Sequence, residues 1–316
     1  MINWVIGSNG LLGSSVNEEL SKFGPTWQPN SRIEWADTGD QESIAIMEET
    51  IDSAVEEFVN AQVGHDWNIF WCAGVGVVNS PNELLELEVI AATRLCSSLV
   101  KFNLPENGNG KVFFASSAGG VYAGSSNPPF TESSIPVPIS NYGKQKLRIE
   151  ELFNSFGKNN NVKIVVGRIA NLYGVKQNLR KQQGIITTLI RSSLTNSFLN
   201  IYVPLNTVRN YIYTADAARK IVLNVLATEE SLRLAVICSD KNLSLSSILR
   251  LTQDVTKKKL LYFQSSSEAT SIQPIDLRLA TESAYILPSN PETPIVVGIS
   301  NIRLHLIESL QRGVLV

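Results

Sequence analysis

Ile2-Asn3-Trp4-Val5-Ile6, followed by Gly7-Ser8-Asn9-Gly10-Leu11-Leu12-Gly13, is the stretch on which the fold turns. A short apolar run reads as a strand. The amphipathic pattern over Leu11–Phe23 reads as a helix, so the three glycines lie in the turn between them. Glycines there let the main chain approach a pyrophosphate, and the helix start beyond offers free amides and a positive dipole end. The spacing differs from the usual GxGxxG, so it is the strand–turn–helix context that carries the reading. Gly7, Asn9, Gly10, Leu11, Leu12 and Gly13 are the candidate cofactor contacts of this turn.

Working outward, Ile69–Cys72, Lys111–Ser116, Lys163–Val166 and Ala235–Cys238 also read as strands. Ile44–Val59, Glu83–Phe102 and Tyr142–Phe156 read as helices between them. Strands alternating with helices predict βαβ units and a doubly wound α/β fold with a parallel Rossmann sheet. After Gly174 the strands shorten. Residues 1–174 are expected to form a dinucleotide-binding domain. Residues 175–316 are expected to form a smaller substrate-binding α/β lobe, closely packed with some exchange of chain, and a ligand cleft is expected along the meeting line.

Composition excludes several classes. The 316 residues hold 27 Lys+Arg against 29 Asp+Glu, a net charge of −2, and no basic stripe for nucleic acid. No apolar run approaches the ~18 residues of a membrane span. The first residues lack the basic and long apolar parts of a secretory signal, so a cytoplasmic protein is expected. Three cysteines and two histidines, without zinc-ligand spacing, predict no metal site.

Which dinucleotide binds depends on Trp27-Gln28-Pro29-Asn30-Ser31-Arg32. If the second strand ends near Pro29, the ribose meets Asn30, Ser31 and Arg32, and NADP is favoured through Arg32. If the strand is Arg32–Ala36, Asp37 follows it and NAD is favoured. NADP is the preferred reading and NAD the alternative.

Tyr142-Gly143-Lys144-Gln145-Lys146 opens a helix. Positions four apart share a helix face. An ammonium beside a phenol favours the phenolate and lowers its pKa from about 10. Tyr142 with Lys146 therefore suits acid/base interconversion of a hydroxyl and a carbonyl, and Lys146 can also hold the cofactor ribose.

The glycine turn, Cys72-Ala73-Gly74, Ser116-Ser117…Val121-Tyr122 and Tyr142-x-x-x-Lys146 occur in order. They resemble an extended short-chain dehydrogenase/reductase of the sugar-nucleotide epimerase/dehydratase branch, as does a UDP-galactose 4-epimerase. Arg168–Gly174 and Arg209–Ala218 continue the resemblance. It implies Tyr142 as catalytic acid/base with Lys146, Cys72, Ala73 and Gly74 along the dinucleotide, Asn171 on substrate, and Arg209 on a nucleotide diphosphate. A guanidinium fork suits phosphate oxygens, which agrees with that role. The resemblance also implies a homodimer through the helices Glu83–Phe102 and Tyr142–Phe156.

The chain departs from the family pattern in three places. The substrate-polarising hydroxyl falls at Ala118, so adjacent Ser117 is the expected substitute and Ser116 the next. Gly119-Gly120 replaces the Asp-Glu pair of 4,6-dehydratases, which need their own acid and base for elimination. Glu88 stands where the epimerases tend to have an asparagine. The expected function is an NADPH-dependent reductase of a keto-sugar nucleotide. An NAD-dependent 4-epimerase is the alternative, and a non-catalytic dinucleotide binder is the third.

Overall fold

The Gly7 turn joins a strand to a helix, as expected. The computed structural model describes residues 1–313 apart from 63, 75, 79, 104–108, 178–183, 266–272 and 283–290. Ile2–Ile6 forms β1 and Leu11–Leu20 forms α1, which stops short of Gly24-Pro25. Then come α2 (Gln41–Gln62), β2 (Trp67–Trp71), α3 (Asn82–Lys101), β3 (Gly110–Ser117), the single turn α4 (Ala118–Val121), α5 (Asn141–Asn160) and β4 (Lys163–Ile169). The second half adds β5 (Asn171–Tyr173), α6 (Ile185–Thr195), β6 (Leu199–Ile201), β7 (Val208–Tyr213), α7 (Thr214–Ala227) and β8 (Leu232–Ile237). It ends with β9 (Asn242–Ser244), α8 (Leu245–Thr256), β10 (Tyr262–Gln264), β11 (Asp276–Leu277) and α9 (Ile295–Gln311).

The main sheet is parallel throughout, in the order β1-β2-β3-β4-β8. Successive side chains point to opposite faces. Trp4, Ile6, Ile69, Trp71, Val112, Phe114, Ile164 and Val166 join one core with Met47 and Phe58 of α2, Leu95 of α3 and Phe153 of α5. Val5, Phe70, Phe113, Val165 and Ala235 join the other with Leu12 and Val16 of α1 and Ile221 of α7. Both faces are buried, which is why the strands read as continuous apolar runs.

The chain crosses back after residue 174. α7 packs on α1, and β8 lies beside β4 in the main sheet. The rest of the second half gathers elsewhere. β5, β7, β9 and β11 make a second sheet, and β6 pairs with β10. α6, α8 and α9 cover a third core that includes Tyr173, Ile190, Ile248 and Ile302. Among the described residues no helix is long and apolar enough to cross a membrane.

The second strand is the main departure from expectation. Neither the stretch ending near Pro29 nor Arg32–Ala36 forms a ladder. Pairing on the free side of β1 is one bridge from Trp27 to Trp4, with Trp27 N–H donating to the Asn3 carbonyl at 2.8 Å. Pro29 lacks a donor and suits the interior of a strand poorly. Rings take over that edge: Trp27 and Phe58 pack on Trp4 with centroids at 5.3 and 5.2 Å. Residues 28–37 then run irregularly along the mouth of a cavity.

Candidate active site

Two of the three glycines are demanded by contact. Gly7 has φ +85°, and a Cβ there would lie 2.8 Å from the Ala73 nitrogen, so the turn abuts the segment after β2. A Cβ on Gly13 would lie 2.1 Å from the Gly7 carbonyl oxygen. Gly10 caps α1 without a side-chain bond, and the first turn holds no acidic residue. The helix start therefore presents its amides and positive end to the turn, ready for an anion. Leu12 buries its side chain in the core, and Gly13 is buried against Gly7. Neither these two nor Leu11 is on the cavity wall, so all three are left with main-chain contributions.

The cavity holds about 540 Å³. Gly7, Asn9 and Gly10 line one part, and Cys72, Ala73 and Gly74 another. Trp35, Trp71 and Met47 supply an apolar wall, with Trp35 edge-on to Trp71 at 6.0 Å. Asn30, Ser31, Arg32 and Asp37 line it as well. Both expected selectors of the cofactor, Arg32 and Asp37, thus face one space. Asn30 is held to α2: its main-chain N–H and its Nδ2 both donate to Glu57 Oε2, at 2.8 and 2.9 Å. Burial pushes the Cys72 thiol far up, which leaves it a poor nucleophile on the wall.

Glu88 also lines the cavity, whereas its partner Lys146 and Tyr142 are not on the wall. Ser140 Oγ caps α5 by accepting from the Gly143 amide at 3.1 Å, which sets Tyr142 in the first turn. Lys146 Nζ, buried, lies 5.5 Å from the Tyr142 ring centroid and 3.1 Å from Glu88 Oε2. Burial alone would lower the lysine's pKa. Glu88, Tyr142 and Glu150 outweigh it and hold the group above its ordinary value, so the ammonium is kept. Gly120 explains the close fit here. A Cβ on it would lie 3.0 Å from Tyr142 Cε1, and one on Gly143 would lie 2.1 Å from the Gly120 oxygen. The two glycines let α4 and α5 touch beneath the tyrosine ring.

Position 118, where the hydroxyl is missing, and its two candidate substitutes separate cleanly. Ala118 is fully buried in the core. Ser116 is buried and donates to Glu150 Oε1 at 2.5 Å. It belongs to a network in which Arg168 meets Glu150 through Nε and Nη2 and Tyr122 through Nη1. Ser117 Oγ accepts from the Gly120 amide at 3.2 Å, capping α4. That contact uses a lone pair and leaves the Ser117 proton available to donate.

Asn171 and Arg209 stand on neighbouring strands, β5 and β7. Asn171 is exposed and spends one Nδ2 bond on the Asn210 carbonyl, at 3.0 Å. Arg209 is held by main-chain oxygens: Nη1 donates to Val208 and Ile275, and Nη2 to Pro274. Asp276, nearby, is paired with Arg278 at 2.9 Å. Among the described residues no carboxylate pairs with Arg209, and burial lowers its pKa. A half-buried cation whose hydrogen bonds all go to carbonyls favours an anionic ligand.

The model of the NAD dependent epimerase/dehydratase family matches residues 4–235. The chain belongs to that family. A dTDP-4-dehydro-6-deoxyglucose reductase of Escherichia coli is 31% identical over 163 residues, which is 51% of each protein. The chain thus spans about half the length of that curated relative. Among solved structures, the UDP-glucose 4-epimerase of Thermotoga maritima with UDP-glucose has a TM-score of 0.75 at 19% identity, covering 98% of this chain and 100% of that one. The UDP-glucose 4-epimerase of Thermus thermophilus in complex with NAD scores 0.76 at 18% identity, covering 97% and 99%. These two share the fold.

Sequence reasoning missed part of the site. It noted Glu88 only as a departure, not as the partner of Lys146. It also missed the Trp35–Trp71–Met47 wall. The available signal was the acidic residue at 88 between Leu85, Leu87 and Val89, all buried in α3.

Proposed function

We propose that the chain is an NADPH-dependent reductase of a carbonyl on a nucleotide-diphosphate sugar. The observation that carries this reading is a buried ammonium, Lys146, beside the Tyr142 ring and bonded to Glu88, which lines the glycine-turn cavity. The residues fit a dinucleotide. Gly7 and Gly13 leave no room for a Cβ, α1 starts uncapped by any side chain, and the cavity has a tryptophan wall suited to a base. Once bound, the dinucleotide supplies the hydride.

The chain's own residues do the rest. Gly7, Asn9 and Gly10 seat the pyrophosphate, Arg32 pairs with the 2′-phosphate, and Cys72–Gly74 form the adjoining wall. Lys146 holds the ribose and places its ammonium beside the phenol. Tyr142 donates that proton to the carbonyl oxygen, and Ser117 polarises the same oxygen through its free O–H. Asn171 and Arg209 hold the substrate's phosphates. Gly119-Gly120 offers no second acid or base, so water elimination of the dehydratase kind is not part of the reading. The reading includes a cytoplasmic homodimer through α3 and α5, for which sedimentation velocity is the check.

Tyr142→Phe is expected to cut kcat by about 10²–10⁴-fold while the fold survives. Turnover that persists without the phenol would remove Tyr142 from the role. One observation favours a second reading: Asp37 also lines the cavity, as an NAD-binding 4-epimerase requires. Mass spectrometry of the cofactor that purifies with the native protein separates the two. Bound NAD selects the epimerase, and NADP(H) selects the reductase.

A further inference from the structure

Glu88 does two things at once. Its Oε1 accepts from the Gly76 amide at 2.7 Å, and its Oε2 accepts from Lys146 Nζ at 3.1 Å. The side chain is only 9% exposed. Room for it is made by two glycines: a Cβ on Gly74 or Gly76 would lie 3.1 or 2.9 Å from Oε1. One carboxylate therefore ties the segment after β2 to α5 across the corner of the cavity.

α5 contributes Glu150, which also acts on Lys146, and β4 contributes Arg168; α3 further carries Glu86, paired with Arg148 of α5 at 2.7 Å. Glu150 is engaged by Arg168 at 2.7 and 3.2 Å and by Ser116 of β3 at 2.5 Å. Arg168 also donates to Tyr122 at 2.8 Å. Among the described residues, Glu88 is thus the carboxylate in hydrogen-bond contact with the Lys146 ammonium.

We propose that Glu88 is a positioning residue for the acid/base pair, fixing the Lys146 ammonium between the segment after β2 and α5 and offsetting its charge beside Tyr142. The proposal rests on the reading of Tyr142 as the proton donor. An ammonium beside a phenol favours the phenolate, and a carboxylate on the far side of that ammonium opposes it. A donor must carry its proton at the working pH. This chain places such a carboxylate at 88, where the resemblance leads one to expect asparagine.

The test reads the phenol directly. Protein carrying ¹³Cζ-labelled tyrosine is titrated by NMR, and the Tyr142 signal is the one lost in Tyr142→Phe. In Glu88→Gln the Lys146 charge stands unopposed, so the Tyr142 midpoint should fall by about one pH unit at an effective dielectric constant near 20. An unmoved or raised midpoint overturns the proposal. If circular dichroism shows Glu88→Gln unfolded, Lys146→Met is compared with Glu88→Gln/Lys146→Met, where no unpaired ammonium remains. The double variant must then titrate lower than the single one, and equal midpoints overturn the proposal. The alkaline limb of carbonyl reduction should move with the NMR midpoint. A moved midpoint with a fixed limb would uphold Glu88 and remove Tyr142 as the donor, so the two failures are distinguishable.

Discussion

Arg32 and Asp37 lie on one irregular segment and line the same cavity, so in the proposed reading selection between dinucleotides rests on single side chains there. A guanidinium meeting a 2′-phosphate makes charge-assisted bonds of about 1.5–3 kcal/mol. Arg32→Ala should therefore weaken NADPH about 10–100-fold and leave NADH nearly unchanged, as read by fluorescence titration. Equal losses for the two cofactors would sink the NADP assignment. The sequence showed both candidates but not their common exposure to the cavity, because that depends on the segment failing to become a strand. Ser116 and Ser117 show the same limit. Adjacent in sequence and alike in chemistry, they are parted by the pleat, one facing Glu150 in the buried network and the other capping α4. Nothing in a string of two serines tells which hydroxyl is spent.

The elements around the cavity are held by polar clamps as well as by the core. Asp52 of α2 accepts from Arg94 through Nε and Nη2, both at 2.7 Å, and from Lys101 Nζ at 2.7 Å, with Ser98 of α3 also donating to it. α2 brings Met47 and α3 brings Glu88 to the cavity, so this clamp sets two of its walls. Burial opposes the Asp52 charge, but the Arg94, Lys101 and Ser98 bonds win and bring its pKa down to about 2. A depressed carboxylate stabilises the fold above its unfolded value, about 3.9, and that stabilisation fades as pH falls through about 2. Arg94 and Lys101 are partly exposed, so screening limits the contribution to roughly 1–2 kcal/mol. Asp52→Asn should lower urea-unfolding stability by about that amount at pH 6, with the difference closing toward pH 2. Equal stabilities at pH 6 would rule the clamp out. Elements such as β2, β3, α3 and α5 were legible because each is a long run with a buried face. Trp27 was not, since a single bridge has no periodicity to read.

The whole sheet is lopsided, and this shapes where the molecule should respond to its ligand. β2, β3 and β4 are each flanked by ladders on both sides, whereas β1 has β2 on one side and the lone Trp27 bridge on the other. The turn proposed to seat the pyrophosphate is closely packed, since a Cβ on Gly7 or Gly13 would meet Ala73 or Gly7. The proposed wall for the rest of the dinucleotide is an irregular segment, 28–37, with few bonds: Gln28 Nε2 reaches the Val5 carbonyl, Asn30 is held by Glu57, Glu34 N–H donates to Thr50, and Ala36 N–H meets Met47 Sδ. Backbone with few such bonds opens locally at little cost, while ladder amides open only with the global unfolding. A ligand that binds only the closed segment stabilises it in proportion to its occupancy. Saturating dinucleotide should therefore slow amide exchange at 28–37 by about 100-fold at a hundredfold excess over Kd, with β2–β4 amides changing only as far as global stability rises. Hydrogen exchange read by mass spectrometry on peptides spanning 28–37 and 110–117 checks this. Unchanged exchange at 28–37 under saturating dinucleotide would mean that the segment is not part of the cofactor wall, and the reading of Arg32 would fall with it.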